Sequence, residues 1–287
     1  MYGFSFFLAV YTILLILAGG LVTSHGAGLA VPDWPLSYGK FFPPMVGNVF
    51  WEHGHRMIAG SVGILTLILA VWIQWKDGRA WVRRLGWAAF GAVALQALLG
   101  GLTVLLMLPA PVSIFHACLA QTFFCILIAI TYFLSPDFKK REIIPLPLSF
   151  SPPGRQAGDQ GGARLAATTV VFIYLQLILG ATVRHSGHAV IVHVVFALAV
   201  VVHVLRLAAR ILYSGSQDET LVRTAGAMGI LVLVQIFLGI GSFVFTRMLE
   251  QGYSPSVARV VFTAAHQTTG ALILGSAFLI TLKVWRK

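Results

Sequence analysis

The sequence predicts an all-α membrane protein of eight transmembrane helices, arranged as two pseudo-symmetric four-helix bundles with both termini cytoplasmic. Three observations carry that expectation. Of 287 residues, 58% are hydrophobic and only 10% charged, whereas a soluble chain carries about a quarter charged residues. Eight apolar runs recur along the chain, each near the roughly 20 residues needed to cross a hydrocarbon core about 30 Å thick. The last four runs repeat the landmarks of the first four in the same order.

The runs fall at 4–23, 53–75, 86–108, 113–134, 166–183, 189–213, 225–246 and 261–284. The first ends in small residues, as a cleaved leader does, but no basic segment precedes it and its length suits a full crossing, so it is read as a span. With the N-terminus inside, connections 23–52, 109–112, 184–188 and 247–260 lie outside. Most of the 20 Lys and Arg residues, among them Arg79, Arg83, Arg84, Arg206 and Lys283, then lie inside, which sets the orientation. The formal charge of +11 is thereby explained by topology, and no nucleic-acid partner is expected. The only cysteines, Cys118 and Cys125, share one apolar run, which excludes a disulfide framework and assigns both to packing. Residues 135–165, rich in Pro, Gly and charge, read as a cytoplasmic linker between an N-terminal bundle at 1–134 and a C-terminal bundle at 166–287.

The two bundles read as a duplication. Gly19–Gly26 (GGLVTSHG) aligns with Gly180–Gly187 (GATVRHSG), His55 with His193, Gln96–Gly100 (QALLG) with Gln235–Gly239 (QIFLG), and His116 with His266. A third copy of the Gln-x-x-x-Gly pattern, Gln176–Gly180 (QLILG), lies in span 5. Four spans return the chain to the same side, so the repeat is parallel. The Gln-x-x-x-Gly pattern reads as close helix packing with amide bonding across the contact, in preference to ligand contact.

His55, His116, His193 and His266 each fall near the outer end of an even-numbered span. Polar groups at that depth are costly and usually functional. Two imidazoles on facing helices can bracket a flat b-type haem, whereas zinc asks for three or four ligands at one point. Two equivalent histidines per repeat therefore point to one porphyrin per half, His55 with His116 and His193 with His266. One turn deeper on the same faces lie Ala59, Ala120, Ala197 and Gly270, small enough to clear a macrocycle. Arg56 and Arg184 at outer helix ends are candidate propionate contacts, with snorkelling to water the alternative. Glu52 shares the His55 face three residues earlier, while Val190 occupies the matching position before His193. That asymmetry makes the N-terminal half the candidate reactive site and the C-terminal half the candidate electron carrier, with a solvated interfacial carboxylate as the other reading. His53, off that face, is expected at the membrane interface.

These features resemble the haem A synthase family. GGLVTSHGAGLAVPDWPLSYG (Gly19–Gly39), the Glu52-x-x-His55-Arg56 motif, the histidine placement and the GATVRHSG turn carry the resemblance over essentially the whole chain. It implies a bacterial plasma-membrane oxidoreductase that oxidises the C8 methyl of haem O to a formyl group by successive hydroxylation, giving haem A. His55 and His116 would then bracket the substrate haem O, with Glu52 as the catalytic carboxylate. His193 and His266 would ligate a haem b cofactor, and both sites would lie towards the outer leaflet. Expected partners are an electron donor, haem O synthase (a protohaem farnesyltransferase) and oxidase assembly factors. Many members carry a cysteine pair near the PDWPL segment. Here Val31 and Ser37 stand nearby and the loop has no cysteine, so a loop disulfide is not expected to serve this chain. Asp33, Trp34 and Pro35 remain candidates for a lid over the haem edge, with a rigid interfacial turn as the other reading. The competing readings are a di-haem cytochrome b that passes electrons without modifying haem, and a haem transporter or chaperone.

Overall fold

The computed structural model describes residues 1–138, 155–249 and 255–285. Among these, eight helices are long and apolar enough to cross a membrane. They are α1 (Tyr2–Ser24), α2 (Asn48–Lys76), α3 (Ala80–Leu105), α4 (Ala110–Leu134), α5 (Arg155–Ser186), α6 (Val190–Leu212), α7 (Glu219–Phe243, continued by a π-helical segment at Val244–Leu249) and α8 (Val257–Val284). In hydrocarbon a backbone amide has no water to bond, so segments this apolar close their hydrogen bonds internally as helices. Their starts follow from local chemistry: Pro109 precedes α4, the Asp218 carboxylate accepts from Leu221 N, and Ser256 Oγ accepts from Arg259 N.

Both halves pack in the same way. Helices α1 to α4 contact in sequence and α4 closes on α1; α5 to α8 do likewise and α8 closes on α5. The halves meet through α1–α8, α4–α5 and α4–α8. Exchanging α1 with α5 and α4 with α8 maps that set onto itself, as a parallel repeat about a pseudo-twofold axis requires. At the seam, a Cβ on Gly275 of α8 would lie 2.8 Å from both Ile128 Cδ1 and Phe124 Cε1 of α4, so the close approach depends on that glycine. Cys118 and Cys125 are free, and Cys125 packs against the C-terminal core.

The repeat extends to the helix ends remote from the histidines, where the sequence reading used Arg79 and Lys283 only as a signal of orientation. Asp77, between α2 and α3, pairs with Arg79 at 2.7 Å, and Arg79 donates to the Phe133 carbonyl at the end of α4. In the other half Asp218 pairs with Lys283 of α8 at 3.1 Å, with Lys283 only 2% exposed. Each half thus ties its second connection to its fourth helix. Removing one partner of such a buried pair costs about 3–5 kcal/mol.

Two boundaries differ from expectation. The end of the segment read as linker is helical, because α5 already begins at Arg155; Gly161 and Gly162 leave room there for the Arg210 side chain of α6. Residues 135–138, at the start of that segment, are described and Phe138 is buried, while residues 139–154 lie outside the described residues. At the other face, α2 begins at Asn48 rather than 53, since partners in the preceding loop satisfy Glu52 and His53 and let the helix run on through polar residues.

Candidate functional site

Each of the four histidines rests on a glycine of the preceding helix. A Cβ added to Gly19 would lie 3.1 Å from His55 Cε1, one on Gly100 3.2 Å from His116 Cε1, one on Gly180 3.1 Å from His193 Cε1, and one on Gly239 2.9 Å from His266 Cε1. Three of these glycines close the Gln-x-x-x-Gly repeats, and the glutamines act on the same histidines. Gln96 Nε2 donates to the His116 carbonyl at 2.9 Å, and Gln176 Nε2 donates to the His193 carbonyl at 3.0 Å and lies 3.4 Å from His193 Nε2. Gln235 Nε2 lies 3.4 Å from His266 Nε2, and His266 Nδ1 stands 3.2 Å from the Gln235 carbonyl oxygen. The motif packs helices as expected, but it is also a socket for the imidazole on the next helix. In α1 the position four before Gly19 is Leu15, so His55 has the glycine without the amide.

The structure brings the expected pairs together. The His193 and His266 ring centroids are 6.3 Å apart with planes at 76°. Two metal–imidazole bonds of about 2 Å, with about 1 Å more from each nitrogen to its ring centre, put the centroids of a bis-imidazole pair about 6 Å apart, so this spacing fits one iron. His55 and His116 occupy the corresponding sockets of the N-terminal half, on Gly19 and Gly100. Nδ1 of His55, His116 and His193 is buried without a protein partner. Among the described residues no three His, Cys, Asp or Glu side chains converge on a metal position. The residues present therefore fit a group held by two axial imidazoles.

The N-terminal half adds a built cover. Residues 25–47 fold back onto α2, where Val31 N donates to Glu52 Oε2 at 2.8 Å and Arg56 Nη2 donates to Glu52 Oε1 at 2.5 Å. Arg56 also donates to the carbonyls of Asp33 (2.7 Å), Leu36 (2.8 Å) and Val31 (3.2 Å). Glu52 is 3% exposed, so it is not a solvated interfacial acid. Nη1 and Nη2 of Arg56 thus bond Glu52 and the loop. His53 is buried, with Nδ1 2.8 Å from Ser37 Oγ. The Trp34 indole stands over α3, its Cδ2 2.6 Å from where a Gly101 Cβ would be, beside the seat of His116. Asp33 shapes the exposed turn, accepting from Tyr38 N at 2.7 Å and Gly39 N at 2.8 Å. The Gly39 N–H most strongly, with help from Tyr38 N–H, holds its carboxyl below the usual carboxylate range.

Arg184 reaches across the seam. Its Nη2 donates to the Gly20 carbonyl and Ser24 Oγ, both at 2.8 Å, while its buried Nε has no protein partner. Ser24 Oγ in turn bonds Thr263 Oγ1 of α8 at 2.7 Å. The clearance expected at Gly270 is taken by Leu177 and the Gln235 amide, 3.2 and 3.4 Å from where its Cβ would be.

Fold and site define a polytopic membrane protein built by duplicating a four-helix unit that presents one histidine pair per copy. The chain belongs to the COX15-CtaA family of cytochrome oxidase assembly proteins, whose sequence model matches residues 44–195, just over half of its length. It is similar to the heme A synthase of Symbiobacterium thermophilum, 29% identical over 181 residues that cover 61% of this chain and 56% of that protein. The heme A synthase of Bacillus licheniformis is 25% identical over 189 residues, covering 64% and 59%. That of Roseobacter denitrificans is 36% identical over 130 residues, covering 42% and 34%. The matched region thus spans less than two thirds of each of these relatives.

Proposed function

We propose that the protein is a haem A synthase of the bacterial plasma membrane, oxidising the C8 methyl of its substrate haem O to a formyl group by successive hydroxylation. The observation that carries this reading is the seating of four histidines on four glycines, one pair per repeat, with His193 and His266 at the spacing of a single iron. The names borne by the relatives supply the product, haem A. In this reading His55 and His116 bracket haem O, and His193 and His266 hold haem b. Haem b, when bound, supplies single-electron transfer. The glycine sockets fix the direction of each imidazole, and the apolar walls of the bundle exclude water from the porphyrin faces. Hydroxylating a methyl on the porphyrin rim requires protons to be moved and charge near the ring edge to be steadied. Glu52, on the His55 face, is the carboxylate we assign to both tasks. Arg56 balances its charge and sets its direction. Arg184, with an unspent Nε at the seam, is the propionate contact. The electron donor, the haem O-forming farnesyltransferase and oxidase assembly factors are the partners, and the sites face the outer leaflet.

The test is to purify the protein from cells with and without a haem O source, extract the haems and weigh them. Farnesylated haem with hydroxymethyl and formyl products is expected only with the source. Unmodified haem b alone in both preparations would replace the synthase with a di-haem electron carrier.

A further inference from the structure

We propose that His55 is the releasable ligand of the N-terminal pair, coupled to the loop at 25–47 through Glu52 and Arg56. Gln96, Gln176 and Gln235 are positioning residues that fix the other three histidines. This inference rests on the two-haem reading above.

The glutamine contacts pin His116 and His193 at their own helical turns, and His266 is held through Nδ1 at the Gln235 main-chain carbonyl, with the Gln235 amide beside the ring. Inside a bilayer such an interhelical bond changes an equilibrium by about three- to twentyfold. Leu15 offers His55 nothing comparable. What restrains the turn of His55 is the loop: Glu52, one turn earlier, holds Val31 N, and the adjacent Arg56 holds three loop carbonyls. The same loop places Trp34 beside the seat of His116, so it touches both sides of the N-terminal site. Lifting it frees the turn of His55 and leaves His116 pinned by Gln96. Among the described residues of the C-terminal half only residues 187–189 separate α5 from α6, anchored by Arg247 donating to the Gly187 carbonyl at 2.8 Å, and the positions matching Glu52 and Arg56 are Val190 and Val194.

The chemistry of the two sites calls for this difference. A substrate that is taken up, altered and released must lose an axial bond each cycle, whereas a resident electron carrier must not. Release at His55 breaks one coordinate bond, with the electron pair staying on the imidazole nitrogen, so neither oxidant nor reductant is consumed.

The test uses the full chain in lipid nanodiscs loaded with ferric haem b, with excess apomyoglobin capturing haem as it leaves and paramagnetic resonance recording the low-spin signals. Two phases of loss are expected, the fast one absent in His55→Ala and the slow one absent in His266→Ala. Leu15→Gln, which supplies the missing amide, slows the fast phase at least threefold. Arg56→Met speeds the fast phase alone. Gln176→Met and Gln235→Met speed the slow phase by a similar factor and shift its low-spin signal, which a defect of folding alone would not do. Unchanged phases and signals in Leu15→Gln, Arg56→Met and both glutamine variants would overturn the proposal while the two-haem reading stood. If His266→Ala kept both phases, the two-haem reading would fall first.

Discussion

The two halves share a socket and differ in what surrounds it. In both, each imidazole of the pair rests on a glycine of the helix before it. The N-terminal half then adds a loop of residues 25–47, a buried Glu52–Arg56 pair that grips it, and Leu15 where the other sockets have glutamine. The C-terminal half keeps the short turn at 187–189, Val190 and Val194, and a full complement of amides. In the proposed reading, duplication alone yields two equivalent haem-holding bundles. The divergence proposed to make one of them reactive lies in one connection and a few side chains beside the sockets.

The comparison breaks most visibly at the histidines. His193→Ala or His266→Ala should abolish the low-spin haem b signal in reduced-minus-oxidised spectra, while His55→Ala and His116→Ala should act mainly on substrate haem. A full bis-imidazole signal in the His193/His266 double variant would show that the halves are not divided in this way. Next in size is Glu52. Glu52→Gln should lower conversion of haem O by about 100-fold, the scale of a lost acid–base group, with the haem b of the other half intact. Since Glu52 and Arg56 share one bond, Arg56→Met should also lower turnover and the double variant should be little worse than Glu52→Gln. Normal haem A yield from Glu52→Gln would reduce the pair to a loop anchor and move the proton-carrying role to Asp33 or a propionate.

How far the sequence revealed this contrast depended on where each partner lies. Spans were legible because eight apolar runs have no soluble alternative, and the histidine pairs because duplication marks each one twice. The absence of an acid at Val190 was visible for the same reason. The grip of Arg56 on the loop escaped because three of its partners are backbone carbonyls, which leave no trace in residue identity. The glutamine contacts escaped on the same ground, since Gln96 and Gln176 bond main-chain oxygens. Lys283 and Asp218, 65 residues apart, look like separate surface charges until α7 and α8 pack together. His53 and Ser37 were not paired because the loop between them had no predicted shape.

A smaller effect sharpens the socket itself. Gly239→Ala puts a methyl group 2.9 Å from His266 Cε1, closer than the ring can tolerate without moving. Overpacking of this kind costs about 1–3 kcal/mol. The low-spin haem b signal should shift, and its thermal loss should begin at lower temperature. Gly3→Ala, with nothing within 4 Å, should change neither. An unshifted signal in Gly239→Ala would mean that the glycine does not seat the ring.

The smallest effect separates the halves by pH. Asp33 lies outside the spans, and backbone N–H donors from Gly39 and Tyr38 keep its carboxyl below the ordinary carboxylate range, with Arg56 adding attraction. Because the folded value is the lower one, the contribution of this carboxylate to loop order is complete above the ordinary carboxylate pKa of about 4. It is lost as pH falls through the lowered value. Across pH 5–8 the loop at 25–47 should therefore show constant resistance to protease, with cleavage rising only on acidification below about pH 4. Asp33→Asn retains one acceptor but no charge, so its loop should be cut somewhat faster at neutral pH and lose the acid step. The turn at 187–189 has no carboxylate and should show no such step in either protein. The turn is exposed and its charge is met by water, so the expected change is modest. If wild type and Asp33→Asn were cut alike at every pH, the turn would owe its shape to the positive φ of Tyr38 and Gly39 and to Arg56, without help from the acid.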